Sequence, residues 1–147
     1  MKIPEDLLIL TKEHHIALSL ANKCINTAKY GSIDEIDSLC SDISEKFVKE
    51  FDCHFNTEEK TIFELLKYKS EKLLEICNKL TIEHKKLKQL ANDLIYNTGS
   101  LSNFGLLLKQ HARLEDRELF PNVHLLSVSE RQTILFSSYS HPKPKKI

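Results

Sequence analysis

Apolar side chains recur at alternating steps of three and four along most of this chain, the spacing that lines one face of a helix. The first stripe reads Leu7, Leu10, His14, Ala17, Ala21, Cys24 and Ala28 and predicts a helix from about Glu5 to Tyr30. Pro4, Glu5 and Asp6 suit its start, since proline fits a first turn and carboxylates favour the positive end of the helix dipole. Gly31-Ser32 ends it and caps a second, long helix from about Ile33 to Tyr68, whose stripe is Ile36, Cys40, Ile43, Phe47, Phe51, His54, Glu58, Ile62 and Leu65. Ser70 caps a third helix in which Leu73, Leu80, Leu87 and Leu94 repeat every seven residues, with Cys77, His84 and Ala91 between them. Asn97-Thr-Gly-Ser100 breaks the chain before a fourth helix with Phe104, Leu108, His111, Glu115 and Leu119 inside, closed or bent by Pro121.

Nothing alternates with period two over a useful length, and short links between long helices force neighbours to run antiparallel. The expected fold is therefore all-α: an up-down-up-down four-helix bundle over residues 1–126. Residues 127–147 are expected as a short outer helix from Ser129 to about Tyr139, with Ile134, Leu135 and Phe136 as its apolar content, and a flexible, solvated basic tail from His141. At 147 residues the chain makes about one domain.

Charge narrows the partners. The 21 basic and 21 acidic side chains cancel, so no overall field draws the chain towards nucleic acid or an anionic membrane. No apolar run approaches a membrane span, and no basic segment leads into a signal-like stretch. Cys24, Cys40, Cys53 and Cys77 form no Cys-x-x-Cys pair and read as reduced thiols. A soluble cytoplasmic protein is expected.

The stripes hold one anomaly. His14, His54, His84 and His111 each replace an apolar residue on a separate helix, and Glu58 and Glu115 follow two of them by four residues. Unpaired polar groups in a core cost roughly 1 to 3 kcal/mol each, whereas residues four apart share a helix face and can chelate one ion. Six such groups meeting in one core fit a pair of metal ions, with His14 and His54 on one, His84 and His111 on the other, and Glu58 and Glu115 bridging. With a solvent bridge, each ion keeps a position free for a small molecule. Iron suits imidazole and carboxylate better than zinc, which prefers about four ligands and often thiolates; manganese stays open. The ferritin-like Glu-x-x-His pattern is absent, because Thr11, Phe51, Thr81 and Leu108 stand three residues before the histidines. His-Glu-x-x-His is absent too. His15 and Glu118 are alternative or additional ligands, while Glu13, Glu59, Glu83 and Asp116 are expected on solvated faces or as partners that orient imidazoles. His124 and His141 are expected at the surface.

The segments Glu13-His14, His54-Phe-Asn-Thr-Glu58-Glu59, Glu83-His84 and His111-Ala-Arg-Leu-Glu115-Asp116, with Leu119-Phe120-Pro121, resemble the hemerythrin-like HHE cation-binding family over about residues 5 to 125. The resemblance implies a four-helix bundle around a non-haem di-iron centre with histidine caps, two bridging carboxylates and an oxo or hydroxo bridge, held by the same six positions. Oxygen-carrying hemerythrins have a second histidine four residues away on the third helix, where this chain has Leu80 and Lys88. Its four-histidine, two-glutamate set is more similar to the di-iron proteins of nitric oxide stress and iron-sulfur repair, which usually carry an extra cysteine-containing N-terminal domain.

Three classes of function follow. The first is a standalone di-iron protein that binds dioxygen or nitric oxide for sensing, scavenging or storage. The second is a di-iron enzyme acting on peroxide or nitric oxide, or an iron donor in cluster repair. The third is a partner-binding bundle that holds no metal.

Overall fold

A computed structural model describes residues 4–147, and residues 1–3 of the expected 1–126 unit lie outside the described residues. Helix α1 spans Leu8–Tyr30 after a 3-10 turn, Glu5–Leu7. Helix α2 spans Ile33–Glu58 and runs on through a π-helical turn, Glu59–Phe63, into a last turn, Glu64–Leu66. Helix α3 spans Glu71–Asn92. Helix α4 spans Thr98–Leu114 and continues through a second π turn, Glu115–Leu119, and a 3-10 stretch, Phe120–Leu125. Helix α5 spans Val128–Ser140. There is no strand among the described residues.

The starts are chemically marked. Ser32 and Ser127 form reciprocal capping boxes with Glu35 and Glu130, and Ser70 accepts from the Leu73 N–H. The fourth helix begins earlier than the Asn97-Thr-Gly-Ser100 break implies. Asn97 Oδ1 accepts from the Ser100 N–H at 2.8 Å, so Asn97 is the cap and Gly99 already lies in the first turn. An asparagine is as good a cap as it is a breaker.

The four long rods pack in a ring, α1 beside α2, α2 beside α3, α3 beside α4 and α4 back beside α1. Gly105 permits the last approach, since a Cβ there would stand 2.7 Å from Cys24 Cβ and 2.9 Å from the Ala21 carbonyl oxygen. Two apolar clusters fill the bundle. One joins Ala17–Cys24, Ile36–Phe55, Leu87–Leu94 and Leu101–Leu108; the other joins Leu7 and Leu10, Ile62–Leu66, Leu73–Leu80 and Leu119–Leu126, with Ile134 of α5. Pairing the start of one rod with the end of the next is the antiparallel arrangement. The histidines and glutamates of the seam fall between the two clusters.

The π turns keep both clusters inside. His54, Glu58, Ile62 and Leu66 are buried at three successive steps of four, as are His111, Glu115, Leu119 and Val123. In a regular helix each such step rotates the side chain by about 40°, so three steps would carry it off the core face. A wider turn that begins just after Glu58 in one rod and at Glu115 in the other absorbs that drift.

Beyond α5 the chain lies against the bundle, where a solvated tail was expected. Pro144 is buried, Ile147 packs on the first apolar cluster, and the Lys145 N–H donates to Glu50 Oε1 at 2.7 Å. Lys143 Nζ donates to the carbonyls of Ser138, Tyr139 and His141, capping the end of α5. Phe136, expected among the apolar content of this helix, is 79% exposed, and of the three apolar residues named only Ile134 is fully buried.

Candidate metal centre

Each of the four rods contributes one buried imidazole, and all four Nε2 atoms turn towards two carboxylates at the centre. Glu58 Oε2 lies 3.0 Å from His14 Nε2 and 3.2 Å from His54 Nε2, while its other oxygen, Oε1, lies 3.1 Å from His84 Nε2. One carboxylate therefore reaches both histidine pairs. Glu115 Oε1 lies 2.7 Å from His111 Nε2 and 3.7 Å from His14 Nε2, so it too faces one histidine of each pair. The donor atoms form two compact groups, His14, His54 and Glu58 on one side and Glu58, His84, His111 and Glu115 on the other, with Glu58 common to both.

The outer nitrogens are equally ordered. His54 Nδ1 donates to Glu13 at 2.8 Å, His84 Nδ1 to Glu59 at 2.8 Å, His111 Nδ1 to Glu83 at 2.9 Å and His14 Nδ1 to Asp116 at 2.8 Å. The carboxylates thus close a ring in which α1 orients α2, α2 orients α3, α3 orients α4 and α4 orients α1. Each acid is the chain neighbour of a central residue, yet it serves a histidine on another helix. Adjacent helical side chains point about 100° apart, so Glu13 cannot follow His14 inward and meets His54 across the interface instead. A carboxylate accepts only, so each Nδ1 carries a proton and Nε2 is the nitrogen turned to the centre, the orientation found around metal-bound imidazoles.

Phenylalanines wall the site. Phe120 stacks on His14 with ring centroids 5.0 Å apart, and Phe55 and Phe63 stack on His84 at 4.1 and 5.4 Å. Against this apolar shell the charges are held mainly by one another. Burial disfavours a charged His14, but the Glu115 charge and the bonds to Asp116 and Glu58 outweigh it and raise its pKa well above the ordinary value. Burial is likewise outweighed at His54 by Glu58 and Glu13, and at His111 by Glu115 and Glu83, so that each is raised to about 9. Burial also opposes the Glu58 charge, yet His54 and the bonds from His14 and His54 hold it well below the usual carboxylate range. Glu115 goes the other way, pushed up by burial and by the charge on Glu58.

These donors fit a pair of cations. Glu115 is fully buried, and neither of its oxygens has a hydrogen bond; His111 Nε2 stands close by, off the hydrogen-bonding direction, and is likewise unpartnered. A buried carboxylate without donors is costly, and a cation is the partner that such atoms lack. Imidazole nitrogens with carboxylate oxygens, and no thiolate among them, are a donor set suited to iron or manganese.

The structure brings together all six residues singled out by the sequence: His14, His54, Glu58, His84, His111 and Glu115. His15 and Glu118 are exposed and stand outside both donor groups, as does His124, whose Nδ1 donates to the Pro121 carbonyl. Leu80 is fully buried one turn before His84, and Lys88, one turn after it, bonds Asp52 at 3.0 Å. The expectation that His141 lies at the surface is corrected. Its side chain is 6% exposed and contacts Glu13 and Thr57, a placement set by the path of the chain after α5, which no helical periodicity encodes.

No helix among the described residues is long and apolar enough to cross a membrane. Neither a curated protein nor a solved structure matches the chain. A family does: the hemerythrin HHE cation binding domain matches residues 6–123, from the turn that opens α1 to the stretch that closes α4. With all four rods and every central donor inside that match, the chain belongs to the hemerythrin HHE cation-binding domain family.

Proposed function

We propose that this protein is a non-haem di-iron protein that binds a small diatomic molecule, dioxygen or nitric oxide, for sensing, scavenging or storage. The observation that carries the reading is Glu58, whose two oxygens face different histidine pairs across the bundle. His14 and His54 would hold one ion, His84 and His111 the other, with Glu58 and Glu115 shared between them. When bound, the iron pair supplies redox-active, Lewis-acidic positions at which a small ligand can coordinate.

The chain's own groups prepare that chemistry. The ring of outer carboxylates fixes each imidazole with Nε2 inward, so metal uptake displaces protons and needs little movement of the rings. Glu58 and Glu115 bring negative charge into a dry core, where a cation is held more strongly than in water. Phe55, Phe63 and Phe120 keep water away from the imidazoles and favour small, weakly polar guests. Leu80 and Lys88, at the spacing where oxygen-carrying hemerythrins have a second histidine, add no imidazole, and each pair keeps two.

The test uses protein purified without an affinity tag. Metal analysis should find close to two irons per chain, and iron far short of that would reject the metal reading. Addition of dioxygen or nitric oxide to the anaerobically reduced protein should change its near-ultraviolet and visible absorption. An unchanged spectrum with both gases, in protein verified to hold iron, would reject the ligand. Binding that saturates is the expected result; consumption that continues through many equivalents would point to an enzyme acting on nitric oxide or peroxide.

A further inference from the structure

The four orienting carboxylates are not equally placed. Asp116 and Glu59 are 30% and 31% exposed and Glu83 is 12% exposed, but Glu13 is 4% exposed. The difference is His141, brought over Glu13 by the turn that follows α5.

His141 Nε2 donates to Glu13 Oε1 at 2.8 Å and approaches Oε2 at 3.0 Å. Its other nitrogen, Nδ1, accepts from the Thr57 hydroxyl at 2.8 Å, and the Ser137 hydroxyl donates to Thr57 Oγ1 at 3.4 Å. From outside inward the donations run in one sense, Ser137 to Thr57 to His141 to Glu13. Glu13 Oε1 then takes a second N–H from His54 at 2.8 Å. A carboxylate held by one N–H can swing about that bond, whereas one gripped from two elements has a fixed plane and fixes the imidazole it faces. The grip is anchored: Lys143 ties the turn to α5, and the Lys145 N–H ties the following residues to Glu50 on α2.

We propose that His141 is a positioning residue of the metal site, holding Glu13 and through it the ring of His54 from a segment outside the four-helix bundle. The inference rests on the metal reading given above. It makes residues 141–147 a working part of the centre and the His14/His54 side its more rigid side.

The test compares His141→Leu with His141→Gln in the full chain, since both fill the space and only glutamine keeps an N–H for Glu13. Loss of iron to excess EDTA should be about 3- to 10-fold faster in His141→Leu, less than removal of a directly bonded partner would give, and close to wild type in His141→Gln. In the zinc-loaded protein, labelled at histidine nitrogen, His141→Leu should shift the His54 Nδ1–H resonance and hasten its exchange with water, leaving those of His84 and His111 in place. Wild-type iron loss and an unmoved His54 resonance in His141→Leu would overturn the proposal, as would an equal shift at all the site histidines. If His141→Leu loses its helical circular dichroism, Thr57→Val, which removes the hydroxyl behind His141 at little change of volume, should give a smaller shift confined to His54; no shift there overturns the proposal. A wild-type protein that takes up no iron rejects the metal reading itself and the inference with it. A loaded wild type with an unaffected His141→Leu rejects only the inference.

Discussion

The α1–α2 half of the centre and the α3–α4 half share one plan and differ in what surrounds it. In each, the first helix gives an acid followed by a histidine, and the second gives a histidine, a glutamate one turn later and then another acid that lies within a π turn. The inner glutamates diverge nonetheless. Glu58 is met by three imidazoles and its charge is favoured, whereas Glu115 finds no hydrogen bond and its charge is disfavoured. The outer acids diverge as well, with Glu13 sealed beneath His141 and Glu83 bordering a surface groove lined by Lys79, Arg113 and Arg117. Equivalent local patterns thus yield unequal environments, because environment is set by whatever packs on from elsewhere in the chain.

The largest effect should come from the shared inner carboxylate. Glu58→Ala is expected to abolish iron retention through desalting, while Glu59→Ala, one residue along, keeps most of it; equal retention in the two variants would remove Glu58 from the site. Next come the orienting acids. Glu13→Ala should weaken metal affinity by about 10- to 100-fold and Glu59→Ala by less, since water can replace the more exposed Glu59. Competition with a chelator measures both, and equal losses would show that the sealed and open corners are energetically alike.

Glu115→Gln should split two properties that Glu58 variants lose together. Removal of an unpartnered buried charge should raise the thermal stability of chelator-stripped protein, by about 1 to 3 kcal/mol, while iron uptake falls. A stripped variant that melts below wild type would show that Glu115 has partners in solution after all. The smallest contrast is with pH and treats the halves alike. His54 and His111, one from each, have pKa values of about 9, above the unfolded 6.5. The folded stripped protein therefore binds more protons than the unfolded chain across that interval. Their contribution is complete below pH 6.5 and is lost as pH rises through about 9, and the raised Glu115 acts with the same sign. Melting temperatures of stripped protein should fall over this range. Iron-loaded protein, whose imidazoles would be neutral ligands, should not show the same decline.

Much of this arrangement can be read in the chain before any coordinates. The six central residues stand out because histidine and glutamate at seam positions break an otherwise apolar period, and Ser32 and Ser70 mark helix starts by well-understood chemistry. The π turns are not legible in this way: the expected stripe steps from Ile62 to Leu65, whereas the wider turn buries Leu66 more deeply. The pairing of Glu13 with His54, or of Asp116 with His14, is set across interfaces by relative rotation of the rods, which periodicity within one rod does not fix. His141 lies further still from local rules. It meets Glu13 across 128 positions of sequence, after a helix end and a turn whose path is settled by Lys143, Pro144 and Ile147 together.

The carboxylate ring also changes what a net charge of zero means. Six of the 21 acidic side chains, the two inner glutamates and the four acids around them, are gathered at the centre, leaving 15 to face 21 basic residues over the remainder of the molecule. The protein is neutral by count but layered by place, a kernel of carboxylates facing imidazoles inside a rind in which basic side chains outnumber acidic ones. Cations drawn to the kernel must cross that rind, while small anions meet a welcoming exterior.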